Sequence, residues 1–446
     1  MATVLFGLFC GIGCLGRNGY AQESVTAREM GQSVGGIMPM ALSASPANGS
    51  DRSREMGVWS DDVRQKELSS YEWNDQQVGY LVAQRKLHLS GRISAGWQYD
   101  DNIYISDVDA QESGSIALQP SLSLIYEPNS WGLSAAVNYN LDYQWYLDDV
   151  RDEAGNAEDH SLNQTVGLAF TWTGAKLRAT LGASYSDVDG GDIDVGSRVQ
   201  GNTMTGHLSL AYDLTGKTTL GAYLSTEILD YSGEYFSSNS YNSSLYVDYR
   251  MTAKVSAGLQ VGYGVTEVID GSDSSDYNLS LRANWAATDK WGVHGSAGVE
   301  NRSYSDGGGD VHPIFDLGIN GDLISTSSGK TSFGLTTYSG FHPSASLQDQ
   351  GYYSIGVVAN LTHRWRERWS ETIAFGYERA KYVSAADLVE ADRMDNYYYI
   401  RPNITYAVTD RFSLSLFYQY SINDSDGLDG KSYTRNHGGI MANFAF

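Results

Sequence analysis

The stretch Trp131-Gly132-Leu133-Ser134-Ala135-Ala136-Val137-Asn138-Tyr139-Asn140-Leu141-Asp142-Tyr143-Gln144-Trp145 sets apolar and aromatic residues at odd positions and mostly polar ones at even positions. Side chains alternate across a β-strand, so this spacing gives one apolar face and one polar face. A helix would need a period of 3.6, and the run does not have it. The same alternation occurs in Leu87–Tyr99, in Leu162, Val166, Leu168, Phe170 and Trp172, and in Val255, Ala257, Leu259, Val261, Tyr263 and Val265. Counting such runs from Leu87 to Phe446 gives about eighteen strands, each near the length of a tilted membrane-crossing strand.

The connections alternate too. Short turns fall at Pro128-Asn129-Ser130, Thr173-Gly174-Ala175, Thr215-Gly216-Lys217, Thr252-Ala253-Lys254, Thr288-Asp289-Lys290, Ser328-Gly329-Lys330, Arg366-Glu367 and Thr409-Asp410-Arg411. Between them come longer acidic segments: Asp148–Asp159, Asp187–Asp194, Asp270–Asp276, Ser305–Asp310, Ala385–Asp395 and Asp424–Asp429. Trp131, Trp172, Trp291, Trp365 and Trp369 flank the short turns, while Tyr99, Tyr143, Trp145 and Tyr231 lie towards the long loops. Short turns on one side, long loops on the other and two aromatic girdles predict an all-β fold, a transmembrane antiparallel β-barrel over residues 87–446. A soluble sandwich would have to pack its apolar faces together and leaves the turn asymmetry unexplained.

Composition narrows the field independently. The 446 residues include 53 acidic and 30 basic side chains, a formal net charge of −23 that argues against a nucleic-acid partner. Tyr (32) and Gly (49) are abundant and Pro (7) is scarce, which leaves a solenoid, an adhesin of sandwiches or a barrel. Mean hydropathy is −0.35, and no apolar run approaches the ~20 residues of a spanning helix.

The first residues indicate export. Val4–Leu15 is a short apolar core, and Gly19 and Ala21 suit cleavage after Ala21, so residues 1–21 are expected to be a signal peptide, although no basic residue precedes the core. Cys10 and Cys14 both lie there, which would leave a mature chain without cysteine. Residues 22–86 are polar and irregular and are expected to form a flexible periplasmic extension, the sharper alternative being a plug built on Tyr71, Trp73 and Tyr80.

At the other end, Gly438, Ile440, Ala442, Phe444 and Phe446 alternate up to a terminal Phe. This resembles the C-terminal insertion signature of bacterial outer-membrane β-barrels, which implies Ile440, Phe444 and Phe446 as an insertion signal, the barrel-assembly machinery and outer-membrane lipid as partners, and the cell outer membrane as location. Tyr99-Asp100-Asp101-Asn102-Ile103-Tyr104 further resembles the opening of the β-barrel porin type associated with exopolysaccharide systems. The barrel likeness covers Leu87–Phe446; the porin-type motif is six residues, and what it implies is an association with polysaccharide export.

With the apolar set towards lipid, the opposite parity lines the interior with hydroxyls, amides and scattered charges, a wall suited to small hydrophilic solutes or saccharides. Arg92, Arg178, Arg282 and Arg401 are candidates for a cationic constriction, with Asp142 and Asp316 as acidic lumen residues. Such arginines also pair with acids, here among Asp142, Glu227, Asp248, Glu300 and Asp316. His88 and Ser90 share a face, spaced as in outer-membrane phospholipases, yet lack the Ser-Asn-Gly context and a third group, so no catalytic residue is expected. Asp424, Asp426 and Asp429 are weak candidates for a loose divalent-ion loop; Leu428 occupies a ligand position there and a distal Glu is missing. No histidine spacing suits a metal, no cofactor is expected, and Gly307-Gly308-Gly309 reads as a loop tip. The leading expectation is a porin-like channel; the alternative is a structural or surface-interaction barrel with its lumen closed by loops or by residues 22–86.

Overall fold

The computed structural model describes residues 87–126, 132–151, 155–288, 290–305, 307–326, 329–347, 350–365, 368–384, 393–427 and 431–446. The expected signal peptide and extension (1–86), Trp131, the Pro128-Asn129-Ser130 and Arg366-Glu367 turns, and Asp429 lie outside them.

The chain forms β1 (Leu87–Asp100), β2 (Ser113–Tyr126), β3 (Leu133–Arg151), β4 (Ala157–Thr173), β5 (Leu177–Asp192) and β6 (Ser197–Asp213). It continues with β7 (Thr218–Tyr231), β8 (Ser238–Arg250), β9 (Val255–Val268), β10 (Ser274–Ala286), β11 (Trp291–Tyr304) and β12 (Gly309–Thr326). Last come β13 (Gly329–Pro343), β14 (Gln350–Trp365), β15 (Trp369–Ser384), β16 (Met394–Ala407), β17 (Phe412–Asp426) and β18 (Tyr433–Ala445). Each strand pairs antiparallel with its sequence neighbours, and β1 pairs with β18 from Arg92↔Ala445 to Asp100↔His437, so the 18-stranded sheet closes on itself. Closure removes the unpaired edges that an open sheet would present to lipid.

Four short turns share one device. The hydroxyl of Thr215, Thr252, Thr288 or Thr409 accepts from the backbone N–H two residues on, at Lys217, Lys254, Lys290 and Arg411, and in three of the four also from the next N–H. Threonine thereby satisfies the donors that the reversing chain frees, which explains its recurrence before a basic residue.

The outward face is apolar. Leu281 is 66% exposed, Leu245 63% and Leu259 50%, values incompatible with a face turned towards water along a whole sheet. Rings border this band: Trp369 and Tyr406 meet at 4.6 Å near the short turns, and Tyr263 and Tyr277 at 4.9 Å towards the long loops. An even-stranded closed barrel with an apolar belt between aromatic girdles is a transmembrane barrel of the outer-membrane type. Tyr231 is a correction to the girdle: parity turns it inward on β7, where it packs against the Val195–Val199–Ala345 cluster and its hydroxyl faces Asp192 at 3.4 Å.

Two expected loops are largely strand. β3 runs on to Arg151 and β4 starts at Ala157, while β5 extends through Asp192. Ladder pairing such as Val150↔Glu158 and Asp192↔Ser197 satisfies backbone groups that a loop would leave to water, so much of the acid sits on strand extensions beyond the membrane. Glycines on the inner face let rings lie flat against the wall: a Cβ on Gly376 would sit 2.0 Å from the Tyr399 ring, and one on Gly356 2.3 Å from Tyr338.

Candidate functional site

The inner wall carries every lumen candidate where parity puts it. Arg92 is on β1, Asp142 on β3, Arg178 on β5, Arg282 on β10, Asp316 on β12 and Arg401 on β16, all half-buried. The four arginines stand four, five, six and three strands apart round the ring, so they are spread over the circumference rather than grouped. Arg282 is held in place: its Nε lies 3.4 Å from Asp248, its Nη1 donates to Gln260 at 2.9 Å, and its guanidinium sits 4.0 Å over the Tyr246 ring. Gln144 donates to Asp142 at 3.4 Å. His88 and Ser90 are both exposed on the inner face near the short-turn rim. Asp424 and Asp426 lie exposed on β17, and among the described residues no three His, Cys, Asp or Glu side chains come together as a metal set.

The central feature of the lumen is one that strand periodicity does not reveal: two connections at the long-loop end, one of them only four residues long, fold inward. The β5–β6 loop (193–196) reaches nearly halfway round the ring to the far wall. There the buried Asp194 carboxylate accepts from the Ala345 backbone N–H at 2.6 Å, from the Tyr382 hydroxyl at 2.6 Å and from the Ser344 hydroxyl at 3.0 and 3.1 Å. Arg393 closes the socket, donating to the Asp194 carbonyl at 2.8 Å and the Ile193 carbonyl at 3.2 Å while gripping Asp395 at 2.8 and 3.0 Å. Burial opposes the Arg393 charge, but the Tyr382 phenol and the carboxylates of Asp395 and Asp194 outweigh it and raise its pKa, so the clamp stays cationic.

The β1–β2 loop (101–112) enters beside it. Ile105 and Ile193 join Ala374, Tyr397, Tyr399 and Tyr433 in one apolar cluster, and Ala374 lies opposite Arg401 in the β15–β16 register. The two loop tips therefore pack in one apolar cluster with side chains of the inner wall. Tyr104 packs with Ile103, Tyr146 and Val150 and donates to Glu158 at 2.7 Å. Glu158 in turn pairs with Arg198, which also grips Asp189 at 2.7 and 2.8 Å.

The six-residue stretch Tyr99–Tyr104 is the root of that loop. Asp100 pairs with Arg435, Asp101 accepts from the Asn436 backbone at 2.6 Å and side chain at 2.7 Å, and Asn102 donates to the carbonyls of Thr434 at 2.9 Å and Ser106 at 2.8 Å. These residues fasten the loop to β18 across the seam where the barrel closes. A sequence signal for both loops existed. Ile103, Ile105, Ile193 and Val195 are aliphatic residues in acidic segments outside the lipid band, and such side chains have to be buried in protein.

No family model matches the chain, and no curated protein matches it. Solved structures similar in general form include OccAB4 of Acinetobacter baumannii, at 12% identity and a TM-score of 0.39 over 81% of this chain and 99% of that one. OpdK of Pseudomonas aeruginosa, solved with vanillate, gives 9% and 0.38 over 80% and 99%, and a bacterial polysaccharide outer membrane secretin gives 12% and 0.34 over 80% and 98%. Placement in the outer membrane rests on this barrel's own closure, apolar belt and girdles.

Proposed function

We propose that this barrel is a channel, not an enzyme, passing small hydrophilic solutes across the outer membrane with its outer mouth latched at rest by the β5–β6 loop. The observation that carries the reading is the Asp194 socket, a polar contact that joins the β5–β6 loop to the far wall of a lumen lined by hydroxyls and amides. An 18-stranded barrel is wide enough to hold water once such loops withdraw. A permanent plug would need no buried charged latch, because an apolar contact would serve as well.

The apolar cluster of Ile105 and Ile193 with wall tyrosines favours the second reading, a structural barrel whose lumen stays filled. Polysaccharide as the cargo rests on the Tyr99–Tyr104 resemblance alone, and four of those six residues (Asp100, Asp101, Asn102 and Tyr104) act as structural fasteners. Purified full-length protein in planar bilayers separates the readings. Discrete conductance steps, rare in the wild type and frequent once the latch is broken, support the channel; silence in both, with the barrel folded, supports the structural role. Unimpaired polysaccharide export by cells lacking the protein would remove that cargo and leave the channel reading intact.

A further inference from the structure

A cavity of about 260 Å³ opens at the outer mouth between the β1–β2 loop, the end of the β5–β6 loop and the residues leading into β18. Asp107 and Asp109 line it from the first loop and Lys431 from the last, and Ser106, Ser197 and Ser432 are also in the lining. The nearby Arg198, Arg393 and Arg435 are all committed to carboxylates. By contrast, Asp107, Asp109 and Lys431 form no ion pair with any described residue although they share one cavity wall. Gly196 sets the lysine's course: it stands at φ +67°, and a Cβ there would come 2.3 Å from Lys431 Cγ, so the lysine stem crosses directly over the glycine at the cavity edge.

We infer that this vestibule binds a small zwitterion of the α-amino-acid class, its ammonium taken by Asp107 and Asp109 and its carboxylate by Lys431. Charges of both signs, without an ion-pair partner among the described residues and supplied by different loops, complement a ligand that bears both charges on a short skeleton; a purely cationic or anionic solute leaves one side unmatched. The volume lies below the ~300–1,000 Å³ of drug-sized pockets, which restricts the occupant to a small molecule. The Ser106 hydroxyl accepts from the Val108 and Asp109 N–H groups and the Ser432 hydroxyl is engaged with the Ser425 backbone, so recognition falls to the three charges. Gly196 belongs to the latch loop, so the site is complete in the closed state, and binding is measured there without any need for the lumen to conduct.

Binding to the full-length protein in detergent micelles is measured by saturation-transfer NMR and calorimetry with L-alanine, L-alaninamide (cation only), L-lactate (anion only) and glucose. L-alanine is expected to bind at least about tenfold more tightly than the other three. Asp107→Asn with Asp109→Asn, and separately Lys431→Gln, are each expected to weaken alanine about tenfold, and 0.5 M salt is expected to weaken it in the wild type. Alaninamide matching alanine would reduce the site to an acidic patch, and glucose matching it would reduce the site to a polar hollow. Alanine affinity unchanged in both variants, or no alanine signal at all, overturns the assignment. These substitutions are at solvent-exposed loop positions, and retained heat-modifiable gel migration verifies that each variant is folded.

Discussion

Asp194→Ala tests the latch directly. The substitution removes the acceptor shared by Ala345, Tyr382 and Ser344 and leaves those donors, one of them a backbone N–H, in a water-poor socket. Removing one partner of a buried charged pair costs about 3–5 kcal/mol. Arg393 keeps Asp395 at 2.8 Å and the backbone carbonyls of residues 193 and 194, so the low end, about 3 kcal/mol, applies to the closed state. At 1.4 kcal/mol per tenfold, the closed-to-open ratio is expected to fall roughly 100-fold. Ile193 and Val195, 2% and 5% exposed, still hold the loop by about 1.5–3 kcal/mol each. The single variant should therefore flicker in planar bilayers, with openings about two orders of magnitude more frequent than in the wild type. Adding Ile193→Ser and Val195→Ser should leave the pore open for most of a recording. Asp194→Ala recordings indistinguishable from wild type, with the barrel folded by heat-modifiable migration, would refute the argument that this carboxylate holds the mouth shut.

Replacing Arg92, Arg178, Arg282 and Arg401 together by Gln is expected to shift the reversal potential under a salt gradient towards cation selectivity, and an unchanged value would end the proposal that they set selectivity. Burial first, and then its hydrogen bond to Glu158, push the Tyr104 phenol well above its ordinary pKa. A raised folded-state value means that its contribution to loop docking is complete below the unfolded phenol's ~10 and declines as pH rises beyond it. Proteolysis within residues 106–110 should accelerate above that pH, and Tyr104→Phe should flatten the dependence. Gly91 exchanges backbone hydrogen bonds with Phe446 at 2.9 Å each way, and a Cβ there would sit 2.4 Å from the Phe446 ring. Gly91→Val should loosen the foot of the β1–β18 seam and lower the folded fraction on unheated gels; a full yield would show that the ring moves aside freely.

The barrel was legible because strands announce themselves locally. The alternation from Trp131 to Trp145 fixes two faces within fifteen residues, and about eighteen such runs with unequal connections leave little besides a closed sheet. The same logic placed Arg282 inward and included Asp248 among its partners, the pair now seen at 3.4 Å. It failed on Tyr231, where an aromatic near a strand end was assigned to the girdle without its parity being checked. The latch lay beyond periodicity altogether. Ile193 and Arg393 are 200 positions apart, and their meeting depends on the curvature of the whole ring. What the sequence did contain was the pairing of Asp194 with flanking Ile193 and Val195, a charge between two aliphatic residues in a segment with no lipid to face.

The position of the acid also changes what a charge of −23 means. Read along the chain, the acidic segments suggest a solvated rim able to collect divalent ions. In the barrel, seven carboxylates, five of them in those segments, are engaged by four arginines at the long-loop ends of the strands: Asp100 by Arg435, Glu158 and Asp189 by Arg198, Asp276 and Glu300 by Arg302, and Asp194 and Asp395 by Arg393. Carboxylates bound in this way have few oxygens left for a cation, so their main effect is structural. Three of the four clusters set two carboxylates against one guanidinium, which keeps the local field negative while the geometry stays fixed. Below them the wall carries both signs, with Arg92, Arg178, Arg282 and Arg401 standing among Asp142, Asp248 and Asp316, and Arg282 is held beside Asp248 at 3.4 Å. The field that distinguishes one end of the barrel from the rest is therefore that of the arginine-braced, negative mouth.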